Sequence, residues 1–209
     1  MTSSNITYTI LNSDLCKPVA ELVDLCFPQM LAEDKYNEED LKFMIGVFPE
    51  GTVIAMDGAK VVGMGIGVFI NIDFDHIPAT ENQLISTNEE LKHNPDGDYY
   101  YGTDFCVHPD YRGRKIGRGI YDRRKEVIVR HNRKGFVAAA VLPGYADHKH
   151  ELDIDTYLAK VVAGELFDPT LSMQLRNGFK FIRPIKDFFT YPKSDNWSAL
   201  IIWENQEHK

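Results

Sequence analysis

The run from Phe105 to Tyr121, FCVHPDYRGRKIGRGIY, holds the chain's densest set of residues suited to binding chemistry. It reads as strand, turn, glycine-bearing loop and helix. The first turn of a helix leaves several N–H groups without intrahelical partners. Those amides and the helix dipole together attract phosphate. Gly113 and Gly117 let the backbone approach a ligand closely or take torsions closed to other residues. Arg112, Arg114, Lys115 and Arg118 add positive charge around the rim. The segment therefore predicts an anion site. It is neither of two familiar phosphate loops, because the chain contains no Gly-x-x-x-x-Gly-Lys-[Ser/Thr] and no Gly-x-Gly-x-x-Gly.

Charge patterning agrees. The net charge is -8, yet residues 112 to 134 hold ten Lys/Arg against two acids, Asp122 and Glu126. A segment at +8 inside a remainder at -16 suits a small phosphorylated ligand better than a nucleic acid, which the remainder repels.

Val107-x-Pro109-x-x-Arg112-Gly113-x-x-Ile116-Gly117 resembles the acetyl-CoA loop of the GNAT superfamily of N-acetyltransferases. The family pattern is Val-x-Pro-x-x-[Arg/Gln]-Gly-x-Gly-[Ile/Leu]-Gly. Lys115 stands where that pattern has its second glycine, which bears on local backbone geometry; a non-glycine residue there still donates its N–H. A shifted register on Arg114, Gly117 and Gly119 also satisfies the core of the pattern, but the distance from Val107 and Pro109 favours the first. Downstream, Leu171 to Phe179 (LSMQLRNGF) resembles the helix that ends in Gly-Phe before the penultimate strand of these enzymes. More narrowly, Pro143-Gly144-Tyr145 followed by Val161 to Leu171 resembles the acetyltransferase-like domain found fused to carbon–nitrogen hydrolases.

That resemblance implies an α/β (α+β) fold, a mixed and mostly antiparallel central sheet with helices on both faces. It implies acetyl-CoA as co-substrate, no metal, and direct attack by a small-molecule or peptide amine. The backbone of Phe105, Cys106 and Val107 would pair with the pantetheine arm where the central strand splays from its neighbour. Residues Arg112 to Arg118 would hold the pyrophosphate. Many of these enzymes carry a Tyr four residues before the Gly of Gly-Phe, to protonate the leaving thiolate; here that position is Gln174, which can hydrogen-bond the sulfur but cannot protonate it. Tyr145 is the first substitute for the acid and Tyr101 the second. Asp104, on the motif strand, is the candidate base, since a carboxyl buried near the cleft would have a raised pKa. Cys106 as a covalent nucleophile is the weaker reading, because a buried thiol in a strand is usually packing.

The elements that must position these groups are legible from periodicity. Strands are expected at Ile6 to Ile10, Thr52 to Met56, Lys60 to Ile70, Tyr99 to His108, Phe136 to Leu142, Phe179 to Ile185 and Trp197 to Trp203. Helices are expected at Asp14 to Cys26, Glu38 to Val47, Ile116 to His131, Ile154 to Ala163 and Thr170 to Arg176, the last stopped by Asn177-Gly178. Residues 71 to 98 read as a polar insertion with a short helix at Asn88 to His93, and residues 143 to 152 as a polar loop. The insertion's acids, Asp73, Asp75, Glu81, Glu89 and Glu90, either attract a cationic amine or simply sit in solvent.

No linker divides the chain, so a single domain over residues 1 to 209 is expected. Cys16, Cys26 and Cys106 read as free thiols in a reducing compartment. With no basic-then-apolar leader and no apolar run long enough to span a bilayer, the expected setting is cytoplasmic, without membrane or nucleic-acid partners. His148-Lys149-His150, near Asp147, Glu151 and Asp153, reads as a solvated loop rather than a metal site. The basic helix face beyond Arg118 reads as mostly solvated. The terminal strands leave a route to a homodimer. Two rival functions stand beside the enzyme: a catalytically impaired acyl-CoA sensor, favoured by Gln174, and a nucleic-acid-binding module using the basic helix.

Overall fold

The β-branched and apolar runs of the chain hydrogen-bond into one seven-stranded sheet. A computed structural model describes residues 5–32, 35–87 and 90–209. The elements begin with β1 (Ile6–Ile10), α1 (Cys16–Cys26), α2 (Glu38–Val47), β2 (Val53–Asp57) and β3 (Lys60–Ile70). A short helix α3 (Glu81–Ile85) and two two-residue strands, β4 (Ser86–Thr87) and β5 (Glu90–Leu91), occupy the insertion. Then come β6 (Tyr99–Val107), α4 (Ile116–Arg130), β7 (Gly135–Val141), α5 (Ile154–Ala163), α6 (Leu171–Arg176), β8 (Lys180–Lys186) and β9 (Trp197–Glu204).

These bounds match the periodicity reading within a residue or two except in the insertion. The helix expected at 88 to 93 is not found there. Residues 88 and 89 lie outside the described residues, and Glu90–Leu91 pairs antiparallel with Ser86–Thr87. The helix forms earlier, where Thr80 caps it by accepting from the Gln83 amide at 3.3 Å. The loop after β7 is also more ordered than a polar loop: Pro143–Asp147 makes a 3-10 turn and buries Tyr145.

The strand order is β1-β2-β3-β6-β7-β9-β8. Every neighbour pair is antiparallel except β6 with β7, which run parallel because α4 crosses over between them. One face is covered by α1, α2 and α3, through Leu22, Val23, Met44 and Leu84 packed with Tyr101 and Val137. The other is covered by α4, α5 and α6, through Ile128, Leu158 and Leu171 packed with Tyr100 and Phe136. Capping follows local chemistry: Asn37 and Asp40 form a reciprocal capping box on α2, and Asp153 accepts from the Thr156 amide at 2.8 Å on α5.

Two irregularities in β6 shape the centre of the sheet. On the β3 side, Gly65 faces Phe105 while Gly67 faces Gly102, so Thr103 and Asp104 together oppose Ile66 in a bulge. On the β7 side, β6 pairs only over Tyr99 to Gly102, with Gly135 to Ala138; beyond that, β7 pairs with β9 alone. The two parallel strands therefore part at Thr103.

A buried arginine sits under this parting. Arg124 of α4 is 2% exposed. Its guanidinium donates to the Ile66 carbonyl at the bulge and, through Nε at 2.9 Å, to the Tyr100 hydroxyl, which donates onward to Gly51 O at 2.6 Å. It also lies over the Phe136 ring, 4.5 Å from the centroid. Missing side chains at Gly65 and Gly102 make the space, since a Cβ on Gly102 would meet Arg124 Nη2 at 2.5 Å and the Phe136 ring at 2.6 Å. Gly102→Ala is accordingly expected to lower unfolding free energy by about 1–3 kcal/mol, read by urea denaturation, because neither neighbour can retreat from a packed interior. An unchanged midpoint would show that the guanidinium is not wedged there.

Candidate active site

The tip of α4 meets the physical requirements for binding a diphosphate. Gly113 (φ 77°) and Lys115 (φ 63°) both take left-handed torsions that turn the chain into the helix. Among the described residues, the amides of residues 113–118 find no acceptor in the protein; the first amide paired back is that of Gly119, to Lys115 O at 3.2 Å. Residues 112–115 and Arg118 are exposed, while Ile116 is buried and anchors the tip to β2 and β3. Gly117 lies against the Phe105 ring, where a Cβ would come within 3.0 Å. Arg112 and Arg114 are held by carbonyls, Nε to Val107 O at 3.2 Å and Nη2 to Asp110 O at 3.0 Å, which leaves their charge beside the loop without neutralising it.

The rest of the basic segment is largely spent inside the protein. Arg123 pairs with Glu126 at 2.7 Å, Arg130 with Glu50 at 3.5 Å, and Lys134 with Asp98 at 2.8 Å. Lys125 donates to Asn177 O and lies over Trp203. Arg124, read from sequence as part of a mostly solvated face, is buried. That reading is corrected: the periodicity of α4 brings residue 124 inward beside Ile120, Tyr121 and Ile128. The positive charge left facing solvent concentrates at the tip.

From the tip, the parting of β6 and β7 opens a narrow cleft lined by Thr103, Asp104, Phe105, Tyr121, Arg124 and Gln174, among others. Asp104 is half-buried, and the surrounding protein pushes its pKa up to about 6, opposed by the Arg124 guanidinium. Across β6, on the face of α2 and α3, lies a second polar group. Tyr101 donates to Glu81 Oε1 at 2.6 Å, and Tyr36 shares a 3.3 Å hydrogen bond with Thr103 Oγ1. Burial pushes the Glu81 pKa up to about 7; the Tyr101 hydrogen bond lowers it and the Asp104 carboxylate raises it. Burial likewise holds the Tyr36 phenol far above its ordinary range. Two carboxyls that titrate near neutrality thus flank the bulge.

The sequence-expected residues divide into those the fold brings together and those it does not. Asp104, Phe105 and Gln174 line the same cleft, and Gly117 of the loop Arg112 to Arg118 lies against the Phe105 ring. Gln174 is 5% exposed and donates through Nε2 to the Tyr121 hydroxyl at 3.1 Å. Tyr145 does not line this cleft: its hydroxyl donates to Leu152 O at 3.0 Å and its ring packs on Tyr157. Tyr101 reaches the parting from the opposite face, with its proton committed to Glu81. Cys106 is buried against Cys26, and its thiol is pushed up first by that neighbour and then by burial. Sequence reasoning missed the roles open to Tyr121, Arg124 and Tyr36, and left Glu81 among acids that either attract a cationic amine or sit in solvent. The signal for Glu81 was its place at the first turn of a capped helix.

Among the described residues, no group of three or more His, Cys, Asp or Glu is arranged to hold a metal, and no helix is long and apolar enough to cross a membrane.

Comparison with known proteins gives consistent results. The model of the acetyltransferase (GNAT) family matches residues 17–145. The probable hydrolase YhcX of Bacillus subtilis is 30% identical over 92% of this chain, which spans 38% of that protein's length. The uncharacterized N-acetyltransferase YkwB of the same organism is 27% identical over 90% of this chain and 84% of its own. Among solved structures, the GphF GNAT-like decarboxylase in complex with isobutyryl-CoA superposes with a TM-score of 0.74 at 16% identity, covering 95% of this chain and 98% of that one. At that identity the likeness concerns the fold.

The left-handed torsion at Lys115 explains why the acetyl-CoA loop pattern has glycine there, since an L side chain crowds the following carbonyl in this region. Lys115→Gly is expected to raise unfolding free energy by about 1 kcal/mol in urea titrations. A clear loss of stability would mean that the Lys115 side chain supports the loop.

Proposed function

The chain belongs to the acetyltransferase (GNAT) family, and from that premise we propose that it moves an acetyl group from acetyl-CoA to the amino group of a small-molecule or peptide acceptor. The observation that carries this reading is the row of unpaired amides at residues 113–118, set at one end of the parting between β6 and β7. A diphosphate needs convergent donors with little side-chain bulk, and this loop supplies them. The pantetheine arm would extend along β6 from Val107 toward Thr103, using main-chain groups that β7 leaves free, as a peptide adds to a sheet edge.

The chemistry then needs little from side chains. A main-chain N–H of β6 beside the thioester carbonyl would hold the developing oxyanion. The acceptor would enter from the α2–α3 face, where Glu81, Asp104, Tyr36 and Tyr101 make a polar, partly acidic surface suited to an ammonium group. Asp104 would take the proton, directly or through water, and the neutral amine would attack the carbonyl carbon. The carbon–sulfur bond breaks, and the products are an amide and a free thiol. No enzyme nucleophile is needed, which agrees with Cys106 being buried and held protonated. The pairing of Arg123 and Arg130 on α4, and of Lys134 just beyond it, with acids leaves less free basic surface for a nucleic acid.

Two measurements test this. Acetyl-CoA is expected to raise the melting temperature of the protein, because a ligand that binds only the folded state stabilises it. Gly117→Glu should abolish that rise by setting a side chain and a negative charge against the diphosphate and the Phe105 ring. An undiminished rise in the variant would place the coenzyme elsewhere.

With an accepted amine, kcat/KM should climb with pH between about 6 and about 7, as Asp104 and Glu81 lose their protons. The direction follows from the role: a base works only as the carboxylate, so activity is lost as pH falls through these values. Asp104→Asn should lower kcat/KM by about 10²–10⁴-fold and remove the limb near 6. A variant that kept both the rate and the limb would exclude Asp104 as the base.

A further inference from the structure

Tyr121 and Gln174 meet at the wall of the β6–β7 cleft with their polar atoms unbalanced. Both are nine-tenths buried or more, at 1% and 5% exposed. Gln174 Nε2 donates to the Tyr121 hydroxyl at 3.1 Å, while Gln174 Oε1 has no partner. Among the described residues, the hydroxyl's own proton has no acceptor either. Turning the amide over lets the hydroxyl donate to Oε1 and leaves Nε2 as the one unpaired group, so in either setting a polar atom of the buried pair goes unmet. Protein interiors rarely leave such groups unmet. With Nε2 toward the hydroxyl, the pair suits a ligand that brings one acceptor and one donor to the same spot.

We propose that Tyr121 is a catalytic residue that gives its hydroxyl proton to the sulfur leaving the acyl carbon, while Gln174 positions that hydroxyl and accepts an N–H of the same thioester arm at Oε1. This deepens the acyl-transfer reading and rests on it. In a coenzyme A thioester the sulfur and the nearest amide N–H are separated by two methylene groups. An acceptor and a donor therefore arrive together, matching the two unmet atoms. Neither of the two tyrosines expected from sequence can compete, because the hydroxyls of Tyr145 and Tyr101 already donate to Leu152 O and Glu81.

The step balances. As the nitrogen–carbon bond forms, the carbon–sulfur bond breaks and its electron pair goes to sulfur. The Tyr121 proton moves to that sulfur. The proton Asp104 took from the ammonium returns through water to the phenolate, and the second proton, shed by the nitrogen as the amide forms, leaves to solvent. The charged groups facing the hydroxyl are Arg124, on its own helix with the guanidinium 5.8 Å from the ring centroid, and Asp104 on β6. β7 and α6 present Phe136, Ala138, Ala139 and Gln174 there, none of them charged. Arg124 steadies the transient phenolate, and burial keeps the resting phenol protonated at neutral pH. The ring is fixed by Phe105 at 4.9 Å and Phe179 at 5.4 Å, so the hydroxyl has little freedom to leave the cleft.

The test needs no acceptor. Free coenzyme A is bound to the full chain, and its thiol is titrated by thiolate ultraviolet absorbance, with affinity measured separately by calorimetry. On the wild-type protein the bound thiol should titrate about one to two pH units lower than on Tyr121→Phe, the size of one hydrogen bond to a charged group. Tyr121→Phe keeps the ring packing, so the variant should still bind coenzyme A where the thiol is protonated, and its thiol can be titrated in the bound state. Gln174→Leu should give a smaller downward shift than wild type, since the hydroxyl is present but no longer held. Equal thiol titration on wild type and Tyr121→Phe overturns the proposal and leaves the coenzyme site standing. Failure of wild type to bind coenzyme A overturns both.

Discussion

The buried guanidinium of Arg124 is the constraint around which the centre of this protein is arranged. A charge carried into a protein interior must be hydrogen-bonded or it destabilises the fold. Here the partners are the Ile66 carbonyl, left over by the β6 bulge, and the Tyr100 hydroxyl. The dependence is mutual. Without the bulge the carbonyl would belong to the β3–β6 ladder, and without the arginine the bulge would leave a buried acceptor unpaired. Gly65 and Gly102 are small because the guanidinium occupies the space their side chains would need. The parting of β6 from β7 begins at the same point, so the cleft is a consequence of how one cation is accommodated beneath the sheet.

Once β6 has parted from β7, it offers two chemistries on two faces. Toward α4 and α6 lie Phe105, Tyr121, Gln174 and the unpaired amides of the helix tip, which offer N–H donors to an anion. Toward α2 and α3 lie Glu81, Tyr36 and Tyr101, a surface suited to a cation. Asp104, at the bulge, belongs to both. It sits within reach of the Arg124 field, which lowers its pKa, and within burial, which raises it further. A bulge is what puts a carboxyl at this junction, since a regular strand would send residue 104 wholly to one face.

The segment from 71 to 98 is more than a spacer in this arrangement. Its short helix docks through the Glu81 amide on Phe188 O at 2.8 Å and delivers a carboxyl to the Tyr101 hydroxyl. The polar composition that marks the segment as an insertion conceals this, because burial depends on what the chain folds against and composition records only what it carries. The basic helix shows the converse. Its excess of positive charge suggests an anion along its whole length, but paired acids from elsewhere, Glu50 and Asp98 among them, absorb the charge beyond the tip.

Local rules acting on the sequence alone determined the order and extent of nearly every strand and helix, the start of α4 at Ile116 and the phosphate-type loop before it. Such features depend on periodicity, capping and glycine torsions, which involve residues a few positions apart. The place of the exposed loop whose amides stay unpaired was legible for the same reason. The tertiary structure alone decided the inward turn of Arg124, the meeting of Gln174 with Tyr121 across 53 positions, the burial of Glu81 against Tyr101, and the removal of Tyr145 to Leu152. Each of these depends on which distant groups the sheet and helices bring together, and on the dielectric that results. No short-range pattern encodes that, because desolvation and hydrogen-bond partnership are properties of the assembled interior.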